Sequence, residues 1–277
     1  MQNKFLTCDH CLQKTGGPVI LLLTAVLIFN GCGTETYEQR LKETAQYFAY
    51  VDARNNALSG NWSSPTVKMR TPVEFKQISD PTPAATTTSE ESEPADPEPS
   101  QAVDPRQPDY INLILPGLEG AWRVDVPVDQ DKETIERPAY LYVLSNHYLL
   151  QEKNMDEALN FYKDVNNQLA GTFNQFLNAD EFTTERFPKG KGYSEAKSFL
   201  VGTFEPETQI AGIPYQFLIY LIEKGNNKVV ILLVIPKNIA RESKLKEHMD
   251  FSLETVDIVS PRSGGGKPNS SSERQNF

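Results

Sequence analysis

Three cysteines and three histidines carry the sharpest chemistry that this 277-residue chain could offer. Cys8 and Cys11 form a Cys-x-x-Cys with Asp9 and His10 between them, a spacing that suits thiol redox work or half of a zinc site. A structural zinc takes about four ligands, and no second pair follows in the sequence. His147, close in sequence to Tyr140, Tyr142 and Tyr148, is the best-placed general base, and His248 is another. A lone histidine is more often a surface or satisfied residue than a catalytic one, and no Gly-x-Ser-x-Gly elbow supplies either with a nucleophile. Gly190-Lys191-Gly192 lacks the third glycine of a dinucleotide loop, and the Gly264 to Lys267 run is followed by Pro268 instead of Ser or Thr. The neighbours Asp180 and Glu181 carry little information in so acidic a chain. The residues therefore name no catalytic group, no metal site and no cofactor, and His147 stands as the one alternative site.

The elements around these residues decide what becomes of the thiols. Pro18 to Phe29 is an apolar run behind a polar leader with Lys4 and Lys14, and small Gly31 follows it. These are the three parts of an export signal. About 12 apolar residues at roughly 1.5 Å each cover about 18 Å, too short for a hydrocarbon core of about 30 Å, so cleavage is favoured over a spanning helix. Removing residues 1–31 as a signal peptide would take Cys8 and Cys11 with it and leave Cys32 as the only cysteine. Disulfides and thiolate metal sites would then be excluded.

Gly31 and Cys32 resemble the cleavage box of bacterial lipoproteins, in which a signal peptidase cuts before a cysteine that carries lipid. The chain has Phe29 and Asn30 where that family usually carries an aliphatic and a small residue. The resemblance implies lipid on Cys32, a membrane held through that lipid, and, with Gly33 instead of aspartate after the cysteine, the periplasmic face of the outer membrane. Two or more acyl chains, at about 0.8 kcal/mol per buried methylene, would make a firm anchor. The broader texture Cys32-Gly-Thr-Glu-Thr-Tyr-Glu-Gln-Arg-Leu41, Met69-Arg-Thr-Pro72 and Pro116-Gly-Leu-Glu-Gly-Ala-Trp122 is similar to lipoproteins of the planctomycete type, a likeness that implies no activity.

The formal charge is -10, or -11 once Lys4, Lys14 and Asp9 are removed (25 basic and 36 acidic residues). Nucleic acid is an unsuitable partner for such a chain, because that affinity rests on clustered Lys and Arg. An envelope protein is the expected partner, its identity open. Within 32–78, Tyr37, Leu41, Phe48, Val51, Leu58 and Trp62 fall on steps of four and three, with Thr44 and Asn55 in the same stripe, which predicts a helix over 35–62. It would pack on its own domain, leaving a monomer, or form a weak homodimer with Asn55 as a polar register marker. Met69 to Ile78 reads as a short strand and turn. Residues 79–108 are dense in Pro, Ser, Thr and Glu and have little to bury, so they are expected to form a disordered linker. Its acids, Glu90, Glu91, Glu93, Asp96 and Glu98, are those of a solvated spacer. The tail 260–277 is expected to be flexible.

Residues 109–259 have the composition of a compact domain. Trp122, Val124 and Val126 alternate with charges as in a half-buried strand, and Ala139 to Leu149 reads as a second strand ending near His147. Met155 to Leu177 predicts a helix capped by Asn154, with Met155, Leu159, Tyr162, Val165, Leu169, Phe173 and Phe176 inward. Phe199 to Phe204 is a strand. Pro214 to Ile222 and Lys228 to Ile235 form a hairpin about Gly225-Asn226-Asn227, and a last helix runs near Ile239 to Val256 with Leu245, Met249, Leu253 and Val256 inward. Strands broken by two helices predict an α+β fold, an antiparallel sheet covered by helices. That order is similar to the PsbP-like α/β/α sandwich, whose members are generally adaptors or accessory subunits, so the resemblance implies a non-catalytic role. The residues leave two functions open: a lipid-anchored binding, adaptor or structural module, and an envelope hydrolase or small-ligand-binding protein with a cleft near His147.

Overall fold

The computed structural model describes residues 34–81, 104–130, 133–190, 193–240 and 243–259. Gly31, Cys32, the Cys8–Cys11 pair, most of the Pro-rich segment and the tail after 259 lie outside the described residues. The chain divides into two compact units, Met1–Ala53 and Arg54–Phe277.

Helix α1 (Thr34–Ala57) spans the boundary between them. Along it Tyr37, Leu41 and Phe48 are exposed, so the stripe expected to face inward is open at these positions. The helix also ends earlier than the periodicity predicted, and Leu58–Ser63 is strand β1. The cause lies in β2 (Val67–Pro72). The Arg70 guanidinium donates to the carbonyls of Leu58 (3.0 Å) and Ser59 (2.8 Å), groups that follow a helix end and need partners. It also donates to Asn55 Oδ1 at 2.9 Å, so the Asn55 amide oxygen has a partner within the chain.

The second unit is α+β, and all of its strand pairs are antiparallel. A small sheet runs β1-β2-β10, with β10 at Asp257–Ile258. A seven-stranded sheet has the order β3-β4-β5-β9-β8-β7-β6, where β3 is Lys76–Gln77, β4 Leu118–Gln130, β5 Glu133–Ser145, β6 Thr183–Phe187, β7 Lys197–Phe204, β8 Tyr215–Lys224 and β9 Asn227–Pro236. The predicted hairpin is β8 and β9, closed by a two-residue turn with Gly225 at φ +62°. That backbone region suits glycine, which has no Cβ to clash.

Alternation along the central strands sorts side chains into two cores. Ala139, Leu141, Val143, Ile231, Leu233 and Ile235 face helix α4 (Leu245–Thr255), where Leu245, Met249 and Leu253 are buried. Tyr142, Leu144, Val230, Leu232 and Val234 face helix α3 (Met155–Phe173) and its Phe161, Val165 and Leu169. A strand covered on both faces needs apolar residues at every position, and β9 carries them (Val229 to Ile235, each fully buried). A helix on each face of the sheet gives three layers.

Three expectations are corrected within these layers. The β5 run ends at Ser145, and His147–Gln151 is a short helix, α2, so His147 opens a helix and does not end a strand. On α3 the buried stripe is Ala158, Phe161, Val165, Asn166 and Leu169, whereas Met155 and Leu159 are 41% and 55% exposed and Phe176, past the helix end, is 84% exposed. The two stripes share Val165 and Leu169, and packing against the sheet decides between them at the helix start. Finally, Asp104 to Pro108 belongs to the folded unit. The Gln107 side chain pairs with the backbone of Leu115 (2.8 and 3.1 Å), and Pro108 is buried. The predicted cap of α3 is present, with Asn154 Oδ1 accepting from the Glu157 N–H at 3.4 Å.

Candidate functional site

Where β4 begins and β5 ends, a cleft of about 510 Å³ opens beside the sheet. The end of β1 and the turn after it supply Trp62 to Pro65, the segment after β3 supplies Asp80 and Pro81, and Arg106 comes from the chain leading into β4. Gly117 to Glu119 and the corner Ser145, His147 and Tyr148 complete it. Its volume lies in the range of small-molecule sites.

Glu119 forms the polar floor. Leu118 pairs with Leu144 and Gly120 with Val143, so Glu119 is the extra residue of a β-bulge. Bulges of this kind re-aim one side chain out of the strand's alternation. The chain reaches the bulge through Gly117, at φ +62°, where an added Cβ would stand 2.0 Å from the Ser145 carbonyl oxygen. Only glycine passes there. The Glu119 carboxylate accepts from the Ser64 hydroxyl at one oxygen and from the Ser145 hydroxyl at the other. Both hydroxyl oxygens then accept from backbone: Ser64 from Val67 N–H at 2.9 Å, Ser145 from His147 N–H at 3.2 Å.

Arg106 stands against one wall and is spent on protein partners. It donates to Asp104, to Asp80 at 2.9 Å and to the Glu119 carbonyl at 3.3 Å. Its hydrogen bonds hold the Asp104 carboxyl below the usual carboxylate range and raise the guanidinium in turn. The apolar wall is Trp62, fixed edge to face on the buried Trp122 with centroids 4.9 Å apart. Gly120 makes this possible, because a Cβ there would stand 2.6 Å from each indole.

His147, the histidine singled out from the sequence, lines the cleft, but its Nε2 meets the Gln151 amide at 2.9 Å. Of the tyrosines grouped with it, Tyr148 also lines the cleft. Tyr140 and Tyr142 lie instead in the core on the α3 side, where Tyr140 stacks on both Tyr142 and Tyr110 and the Tyr142 hydroxyl donates to that of Tyr110 at 3.4 Å. Burial pushes the Tyr140 phenol up to about 12 and Tyr142 higher still. His248 is outside the cleft lining and its Nδ1 sits 2.6 Å from Glu74 Oε1. Asp180 and Glu181 form a 3-10 turn elsewhere, and Gly190 has φ +91° in a loop whose next two residues are outside the described ones.

Sequence reasoning missed Glu119, Ser64, Ser145, Arg106 and Trp62, which come from four separate stretches. One signal was readable: Gly117 and Gly120 flank a single acid at the start of a strand, a pattern that marks a bulge. Among the described residues there is no group of three or more His, Cys, Asp or Glu side chains able to hold a metal ion, and no helix is long and apolar enough to cross a membrane.

No family model and no curated protein matches the chain. A crystal structure of a protein from Bacteroides thetaiotaomicron is similar at 9% sequence identity and a TM-score of 0.32, over 72% of this chain and 48% of that one. The chain thus spans about half the length of that structure, and so loose a superposition assigns nothing to it.

Proposed function

We propose that this chain is an exported cell-envelope protein, anchored by lipid on Cys32 at the periplasmic face of the outer membrane, and that it works as a non-catalytic binding module through the Glu119 cleft. The observation that supports this reading is how the cleft's polar groups are used. Ser145 gives its proton to Glu119, not to His147, and His147 is turned to Gln151. Acyl transfer needs a nucleophile, a base on it and an oriented partner on the base, and that relay is not assembled among these residues. What the site offers is a fixed aromatic wall and a preorganised polar floor, the ordinary equipment of recognition.

Two measurements test the proposal. Intact mass of the protein from its native host should show a chain starting at Cys32 with added acyl mass, and an N-terminus that retains Met1 refutes the anchor. A photo-reactive side chain placed at Ser63, an exposed residue of the cleft, should give a discrete envelope adduct that disappears when Trp62→Ala is added. An adduct pattern unchanged by Trp62→Ala refutes the cleft as the contact.

A further inference from the structure

We infer that the Glu119 cleft receives an organic cation, a primary ammonium or guanidinium group; this rests on the reading of the cleft as the binding site. Three features converge on it. The first is hydrogen-bond stock. The Ser64 and Ser145 hydroxyls have given their protons to Glu119 and accept from backbone N–H groups. Arg106 has committed four of its five N–H donors to Asp104, Asp80 and the Glu119 carbonyl. An ionised carboxylate has about four lone-pair positions, of which the two serines fill two. The floor around Glu119 therefore has acceptors left and no free hydroxyl donor, the Ser63 and Tyr148 hydroxyls standing elsewhere in the lining, so a group that brings donors suits the floor.

The second feature is charge. Asp80 and Glu119 line the cleft against Arg106, and Arg106 is already paired with Asp104 and Asp80. Glu119, half-buried, has no ion-pair partner among the described residues. A carboxylate withdrawn from water in this way favours a cation beside it. The chain's net charge of -10 would also concentrate cations near the surface. The third feature is Trp62, together with Tyr148, which is 38% exposed. Indole and phenol faces attract ammonium and guanidinium groups, and Trp62 is held in place by Trp122 and by the missing side chain of Gly120. A bulge that turns one carboxylate out of a strand beside a fixed indole is built to hold one positive group.

The same chemistry is offered by a free amine and by a lysine side chain on a partner, and the test separates them. The purified full chain is titrated with putrescine and, separately, with acetyl-Gly-Lys-Gly-amide, read by tryptophan fluorescence. Trp62 and Trp122 are the only two tryptophans, so the signal reports the cleft wall. A saturable change with either probe is expected, weakened at least about tenfold in Glu119→Gln, as for the loss of one charge-assisted contact. Trp62→Leu, read by calorimetry, should weaken it similarly, and both variants should keep the wild-type melting transition within a few degrees. A response to putrescine alone assigns a free amine, and one to the peptide alone assigns a partner side chain. Equal binding by wild type and Glu119→Gln, or a response to neutral maltotriose and to neither amine, overturns the inference. No response to any probe while the Ser63 adduct persists overturns it too, and leaves the binding-module reading standing.

Discussion

Asn146 joins the cleft to the rest of the domain, and its removal has a magnitude that can be worked out. The residue sits between Ser145 and His147 and is fully buried. Its Nδ2 donates to the Ala158 carbonyl on α3 (3.0 Å) and to the Asn226 carbonyl in the β8–β9 turn (2.8 Å), while Oδ1 accepts from the Lys228 N–H (3.0 Å). One amide thus ties the β5–α2 corner to a helix and to a hairpin far away in sequence. Each such bond contributes about 0.5–1.5 kcal/mol net, and a buried group left without its partner costs about 1–3 kcal/mol. Asn146→Ala removes three bonds and leaves a small cavity, for a loss of about 3–5 kcal/mol. At about 2–4 °C per kcal/mol for a unit of this size, the melting temperature should fall by about 6–20 °C. Asn146→Asp keeps the shape and the acceptor for Lys228 but faces a carboxylate to two carbonyls, so it should cost at least as much. Urea unfolding of both variants, with exposed Asn112→Ala as control, checks this. A loss below about 1 kcal/mol for Asn146→Ala, or an Asp variant as stable as wild type, would refute the view that this amide holds the corner.

Three other outcomes are expected. Phe161→Ala should cost about 3–5 kcal/mol in chemical denaturation, as for a fully buried ring, and Leu159→Ala about 0.5 kcal/mol or less; the reverse order would show that the predicted stripe, not the observed one, faces the sheet. Gly120→Ala must push Trp62 and Trp122 apart, so its near-ultraviolet circular dichroism should lose the tryptophan bands, and an unchanged spectrum would contradict the packing. Burial raises the phenols of Tyr110, Tyr140, Tyr142, Tyr162, Tyr215 and Tyr220 above their ordinary value of 10. The folded state then holds more protons than the unfolded one above about pH 10, so stability should be intact below that pH and fall as pH rises toward 12. Absorbance titration should show these phenols ionising together with unfolding; smooth ionisation of every tyrosine near pH 10 with the fold intact would exclude their burial.

The sequence by itself determined what depends on neighbours a few residues apart. The β8–β9 hairpin is written in two apolar runs and a Gly-Asn turn, and α4 in Leu245, Met249 and Leu253 at helical spacing. The cap of α3 is written in Asn154. The α+β class followed from their order. Tertiary structure decided whatever rests on contacts across long separations. The 35–62 stripe continues past Ala57 in the sequence, yet Arg70 captures the carbonyls at Leu58 and Ser59 and turns the chain into a strand. The first turn of α3 carries two possible apolar faces, and only the sheet beneath selects Ala158 and Phe161 over Met155 and Leu159. The cleft was the least legible part. Glu119 faces Ser64 and Ser145 because a bulge shifts the register of β4 against β5, and strand periodicity alone would have kept that carboxylate in step with its neighbours. Register and long-range pairing are set by the energy of the assembled sheet, and that energy is not a property of any short window of residues.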